Sequence, residues 1–488
     1  MSYSIEEITN KILKEYQNKT TYELCDWFNG EYILTLKSVR EHILEQFTIH
    51  YPTIPIEKVE LYLKNRINTK YYSQITPILD KLKTTPQLIQ RSPEWHAFRE
   101  NLITGSEAAY FLGISGMSNA VNSFKGKIGL PCTRPNNEAP AIQHGVNYEA
   151  VAKRLYELRY NVEIMELGCV VSPSKFIGAS PDGIVIKTHG KTWESWSRYG
   201  RMLEIKCPYS RIIDDNVKPE YEVQMLQQQY TCHLPICDFL ECGILDASHG
   251  KGVSGVIAYK NLDELLADSY DIHAQEMKTK IHNKNIPLTN LRFNGLEKGI
   301  AIMAYYNGNN SNNGKILQNE TLIYPIEKEY KKDEINKWIW ETQKELDKRG
   351  FSGYNTKYWK IYNFSIKTRI YNQELYEKTY IPKLESTWNH ICKLRNITNP
   401  DEKMKIIGGW INIYDLHNIS YVTNLKEEKY INISACYENM TENINMNTST
   451  NTSINKTKKS KNMMNNLMES EMIDNLLNEY YNTHSYID

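Results

Sequence analysis

Residues 203–210 read LEIKCPYS, a short apolar run with a carboxylate and an ammonium set into it. On a strand, alternate side chains point to one face, so Glu204 and Lys206 stand together and Leu203 and Ile205 point the other way. Burying two opposite charges costs several kcal/mol per ion unless the geometry is excellent. Read alone, the stretch is an edge-strand ion pair facing water. The neighbouring sequence points elsewhere. FIGASPDGIVI, 176–186, ends one β-rich run on Pro181-Asp182-Gly183 and begins the next, and the loop KTHGKTWESWSRYG makes it a hairpin with MLEIKCP. Asp182 then faces Glu204 across the hairpin. Two carboxylates this close raise each other's pKa, and a divalent cation relieves the repulsion. Mg²⁺ takes oxygen ligands, and the Ile205 carbonyl offers a further one.

Around this hairpin lie helical segments. HGVNYEAVAKRLYELR, 144–159, is amphipathic through Val151, Leu155 and Leu158, and it carries Glu149, a third acid that can be aimed at the same place. RSPEWHAFRE starts a helix with Ser92 as N-cap and Pro93 in the first turn, and a second start follows at Thr104-Gly105-Ser106. VKPEYEVQMLQQQYTCHL is a helix and ICDFLECGIL a buried strand after it. Further on, KDEINKWIWETQKELDKRG is a helix stopped by glycine, YWKIYNFSIKTRI a strand, and QELYEKTYIPKLESTWNHICKLR a long helix.

The order of these motifs resembles the YqaJ-like viral recombinase family, relatives of lambda exonuclease with a PD-(D/E)xK nuclease core. The resemblance rests on Trp95, Arg99, Thr104, Gly105 and Ser106, then Gly145 to Glu149, the Pro181-Asp182-Gly183 turn, the strand Glu204 to Pro208, and a helix bearing Gln224 and Gln228. It covers Arg91 to Leu245 well and the later strand and helix more weakly. One departure is Leu226, where many members carry a glutamine. The resemblance implies an α/β fold, a mixed sheet flanked by helices, with Glu149, Asp182, Glu204 and the Ile205 carbonyl as ligands of Mg²⁺ or Mn²⁺. It implies Lys206 as the catalytic lysine, with Gln224 beside it on the amine or the substrate, and Arg99 with Ser106 gripping a terminal 5′-phosphate. A guanidinium fork and a hydroxyl both suit a phosphate, although Ser106 also reads as a plain helix cap. The implied activity is hydrolysis of double-stranded DNA from an end, 5′ to 3′, in recombination, end processing or defence. Implied partners are a homo-oligomer and a single-strand annealing protein or helicase. A Cas4-like or endonucleolytic nuclease and a catalytically inert DNA-end scaffold are the competing readings.

Composition bounds the rest. The chain has 488 residues, and Lys+Arg equals Asp+Glu at 58 each, so any nucleic-acid surface must be a local patch. No run is apolar enough to span a membrane, and the charged start MSYSIEEITNKILKEY has no signal-peptide core, so an intracellular protein is expected, in the host cytoplasm if the source is viral. The abundance of Asn, Ile and Lys, with 35 Tyr against 10 Phe, fits an AT-rich genome and resembles giant DNA virus members of the family, mimivirus-like. Three parts are expected: a helical N-terminal domain over 1–85, the nuclease domain over 86–430, and a low-complexity tail over 431–488 ending in an amphipathic helix. Cys232, Cys237 and Cys242 form no C-x-x-C pair and read as buried thiols. Trp193 and Trp196 could stack on bases or pack on the protein itself.

Overall fold

A computed structural model describes residues 4–19, 30–85, 88, 92–115, 117–132, 139–249, 258–267, 297–306, 319–328 and 330–413. The tail expected over 431–488, with its terminal helix, lies outside the described residues. Among the described residues no helix is long and apolar enough to cross a membrane.

Four helices open the chain: α1 (Ile5–Lys19), α2 (Lys37–His50), α3 (Ile56–Arg66) and α4 (Tyr72–Lys83). Then come α5 (Pro93–Glu100), β1 (Ile103–Thr104), α6 (Gly105–Phe111), α7 (Met117–Lys127) and α8 (Pro140–Tyr160). Strands β2 (Val162–Met165), β3 (Val170–Val171), β4 (Ile177–Ala179) and β5 (Gly183–Thr188) follow, then a helical turn α9 (Trp193–Trp196), β6 (Met202–Lys206), α10 (Pro219–Cys232) and β7 (Ile236–Leu245). The C-terminal half adds β8 (Lys298–Tyr305), β9 (Glu320–Ile323) and the long β10 (Gly353–Ile370), with helices at Lys332–Arg349, Ile381–Arg395 and Pro400–Ile413.

Seven strands form one mixed sheet in the order β2-β5-β6-β7-β10-β8-β9, and β1, β4 and β3 form a small second sheet. Strand β6 pairs antiparallel with β5 and parallel with β7. It is therefore an interior strand, and the edge-strand reading of Glu204 and Lys206 fails. The cause is the crossover through α10, which returns the chain as a parallel neighbour on the open side of the hairpin. Strand β7 is buried along its whole length because it serves two cores. Cys237 and Phe239 pack with Met202 and α10 on one face, and Leu240, Cys242 and Ile244 pack with Leu203, Ile205 and α8 on the other. Helix α8 supplies Tyr148, Val151, Ala152, Leu155 and Tyr156 at helical spacing to that second core.

The first face is covered by the N-terminal helices as well. Ile8, Ile43, Phe47, Leu63 and Leu79 share one apolar cluster with Met202, Met225 and Phe239. Polar contacts fasten the join: the Tyr72 hydroxyl donates to the Trp196 carbonyl at 2.5 Å, and the Arg201 guanidinium to the Thr35 carbonyl at 2.6 Å. Trp196 is buried in this cluster and Trp193 packs against it, so both tryptophans are used in packing. Cys232, Cys237 and Cys242 are free and buried.

Candidate active site

Three backbone facts bring the acids together. The Asp182 amide donates to the Leu203 carbonyl at 3.1 Å, which fixes the turn against β6. The Ile205 amide donates back to Asp182 Oδ2 at 2.6 Å. Gly183 lets β2 approach, since a Cβ there would lie 2.4 Å from the Ile164 side chain. Asp182 is thus locked one strand away from Glu204, which is fully buried.

Glu204 has a partner for each oxygen. Oε1 pairs with the Lys206 ammonium. Oε2 accepts from Gln228 Nε2 at 2.6 Å, and the same amide donates to the Ser180 carbonyl at 3.3 Å. The sequence places Gln228 on the glutamine-bearing helix of the resemblance but assigns it no role. Gln224, the residue expected beside the lysine, lies one turn earlier on α10 and packs its side chain against Gly105. Gln227 is structural: its Nε2 donates to the carbonyls of Ile103 at 2.8 Å and Gly178 at 2.9 Å, and its Oε1 accepts from Tyr376. It fastens α10 to β1, at the start of α6, and to β4, which leads to Asp182.

Electrostatics link the third acid. Burial first, then the charges of Glu204 and Glu149, push the Asp182 carboxyl well above the usual carboxylate range. Glu149 is exposed on α8 and close enough to act on Asp182. Lys206 is pulled down by burial but raised by more through Glu204 and Asp182, so it stays an ammonium. Three carboxylates face Lys206, with Lys153 also acting on Glu149 and Asp182 while pairing with Glu166, so negative charge stays in excess on a set of hard oxygen donors. This suits a divalent cation such as Mg²⁺ or Mn²⁺, with Asp182, Glu204, Glu149 and the Ile205 carbonyl as the available donors. Among the described residues no three acid, histidine or cysteine side chains are already gathered at ligand distance.

Arg99 and Ser106 do come together. Arg99 Nη2 lies 3.4 Å from Ser106 Oγ and 3.2 Å from Thr104 Oγ1, with its guanidinium 4.3 Å over the Trp95 ring. The cap of α6 is Thr104, not Ser106: Thr104 forms a capping box with Glu107. The Ser106 hydroxyl is exposed and lies 3.4 Å from both Arg99 Nη2 and Thr104 Oγ1. Lys127 braces this corner, donating to the Arg99 carbonyl at 2.9 Å and pairing with Glu107 at 3.0 Å. Helix α10 passes both groups, with Gln224 at α6 and Gln228 at Glu204. A separate cleft of about 900 Å³, lined by Leu36, Tyr160, Trp193, Arg198 and Tyr371, does not contain the acids.

The segment from Glu94 to Ile236, which holds Arg99, Ser106, Glu149, Asp182, Glu204, Lys206 and Gln228, matches the family model of the YqaJ-like viral recombinase domain. The resemblance read from the sequence to the YqaJ-like family thus holds over this segment. An uncharacterized protein of Acanthamoeba polyphaga mimivirus is 28% identical over 402 residues, covering 78% of this chain and 67% of the relative. A protein of African swine fever virus is 29% identical over 173 residues, 32% of this chain and about half, 48%, of its own length. Among solved structures, an alkaline exonuclease from Laribacter hongkongensis is 27% identical, covering 31% of this chain and 73% of that one with a TM-score of 0.24. The YqaJ-like segment holds every residue named above as a candidate ligand, lysine or phosphate grip.

Proposed function

We propose that this chain is a divalent-metal-dependent nuclease that hydrolyses phosphodiester bonds of double-stranded DNA from an end, in the 5′ to 3′ direction. The observation that carries the reading is the buried Glu204 beside the half-buried Asp182 and Lys206, with Glu149 acting on Asp182 and the Arg99–Ser106 pair on the same flank of α10. The match of residues 94–236 to the YqaJ-like family model supports it. A divalent cation held by Asp182, Glu204, Glu149 and the Ile205 carbonyl would lower the pKa of a bound water and polarise the phosphate. The chain's own residues do the rest. Gln228 fixes the Glu204 carboxylate, and the Ile205 amide fixes that of Asp182. Lys206, held as an ammonium, opposes the charge that develops on the phosphoryl oxygens. Arg99 and Ser106 receive a 5′-terminal phosphate and so set where the scissile bond lies.

A homo-oligomer, and a single-strand annealing protein or helicase as partner, belong to the same reading. So does a division of the chain into N-terminal helices over 1–85, a nuclease part over 86–430 and a tail over 431–488. The test is degradation of linear duplex DNA in Mg²⁺ or Mn²⁺, wild type beside Lys206→Ala. Ends carry a 5′-phosphate or a 5′-hydroxyl, and a closed circle serves as control. Loss of linear, 5′-phosphorylated DNA with wild type alone is expected. Equal cutting of the circle would replace the exonuclease by an endonuclease, and inert wild type that still binds DNA would leave a scaffold.

A further inference from the structure

We propose that Arg211 is a DNA-backbone contact beside this site, a guanidinium held ready on the buried carboxylate of Glu241. The inference rests on the DNA-nuclease reading and deepens it. In the parallel register of β6 and β7, Lys206 is the partner of Glu241. Paired residues of neighbouring strands point to the same face, about 4.8 Å apart at the backbone. Glu241 therefore stands beside Lys206 on the sheet face that holds Glu204.

Glu241 is fully buried and carries two cations, Arg211 on Oε1 and Lys367 of β10 on Oε2, the latter at 2.5 Å. One carboxylate needs one cation to remain ionised in the interior. The second leaves a local surplus of positive charge. The two cations are not equivalent. Lys367 lies on the interior strand β10 with its side chain 9% exposed, whereas Arg211 lies on the loop that leaves β6 with its side chain 28% exposed. Arg211 can turn to a phosphate without stranding a buried charge, because Lys367 keeps Glu241 neutralised. Among the described residues Glu241 is the one carboxylate paired with Arg211, although Asp214 and Asp215 sit exposed on the same loop. The guanidinium fork matches a phosphodiester, and its pairing with Glu241, the register partner of Lys206, keeps it beside the lysine.

The experiment measures equilibrium binding of a 5′-phosphorylated duplex by the full chain in EDTA, so that no turnover intervenes, across a range of salt. Thermal midpoints are read in parallel. Arg211→Gln is expected to weaken binding roughly tenfold at 0.1 M salt and to reduce the slope of log K against log salt by about one. Its midpoint should stay near that of wild type, and Arg211→Lys should recover the slope. Lys367→Met should do the reverse, lowering the midpoint and keeping the slope. An Arg211→Gln variant with a fallen midpoint and an unchanged slope would show a merely structural partner of Glu241 and overturn the assignment. So would a variant unchanged in both. A wild type that binds no DNA overturns this assignment together with the DNA reading; intact wild-type binding with an unaltered Arg211→Gln slope overturns this assignment alone.

Discussion

Gln228→Met tests whether α10 holds the Glu204 carboxylate. Methionine matches glutamine in length and keeps the helix, but it has no donor. The change leaves Glu204 Oε2, bonded at 2.6 Å, and the Ser180 carbonyl, bonded at 3.3 Å, without that amide. A hydrogen bond to a charged group contributes about 1.5–3 kcal/mol, and the long bond to Ser180 about 0.5 kcal/mol. Glu204 is fully buried, so water does not replace the lost donor. The expected loss is about 2–3.5 kcal/mol in EDTA. For a cooperative unit of about 150–250 residues this lowers the midpoint by roughly 4–14 °C. Trp196 is packed in the same apolar cluster as Met225 on α10, so tryptophan fluorescence reports the unfolding of this part. Mn²⁺ should recover more of the midpoint in the variant than in wild type, because the freed oxygen becomes available to a cation. A midpoint within 1 °C of wild type in EDTA, or an equal gain from Mn²⁺ in both proteins, would refute the assignment of Gln228 as the residue that fixes Glu204.

Two pH experiments follow from the buried groups. Asp182 has a raised pKa in the fold, so its ionisation opposes folding; that penalty is fully present above the folded pKa and vanishes as pH falls below the unfolded value of about 3.9. In EDTA, Asp182→Asn should therefore melt higher than wild type at neutral pH and the two should converge in acid; parallel curves would show that Asp182 is not under repulsion. His144 behaves oppositely. Burial first, then the neighbouring His249, lowers its pKa from 6.5 to about 4, so the stability of the neutral ring is complete above pH 6.5 and is lost as pH falls toward 4. A shift of this size corresponds to about 3 kcal/mol. His144 is 4% exposed and its Nε2 has no hydrogen-bond partner, so His144→Phe should cost little at pH 7 and gain on wild type through that window. A constant difference between the two from pH 7 to pH 4 would place the acid sensitivity elsewhere.

The acids and the lysine were legible because each follows a local rule: Glu204 and Lys206 share a strand face, and Asp182 closes the hairpin that carries them. The interior position of β6 was not, because β7 joins it only through the α10 crossover. The role of Gln228 could have been read. QMLQQQ places Gln224, Gln227 and Gln228 among Val223, Met225 and Leu226 on one helix, and glutamines buried in an apolar helix require partners. Spacing alone did not say which glutamine meets which group. Glu241 and Asp238 were visible as acids inside an apolar strand, three residues apart and so on opposite faces. Their cations were not visible. Asp238 is held by Arg198 and Arg201 from the hairpin, and Glu241 by Arg211 and by Lys367, 126 residues away.

Lys206 and Asp182 are displaced in the same direction, each toward its protonated form. Lys206 is pulled down by burial and raised by more through Glu204 and Asp182, so at neutral pH it keeps its proton. An ammonium has no lone pair with which to take a proton from water, and an approaching phosphate raises it further. Its part is therefore to supply charge and a hydrogen bond. Asp182 is displaced in the direction that favours its neutral form, through burial and the two other carboxylates. To serve as a ligand it must give up that proton, so cation affinity rises with pH until Asp182 is ionised. The same repulsion that makes Asp182 hard to ionise disappears once the charge between the three acids is neutralised. The repulsion within the acidic cluster would thus be the source of its affinity for a cation, and Lys206, already committed to Glu204, limits that repulsion together with Lys153.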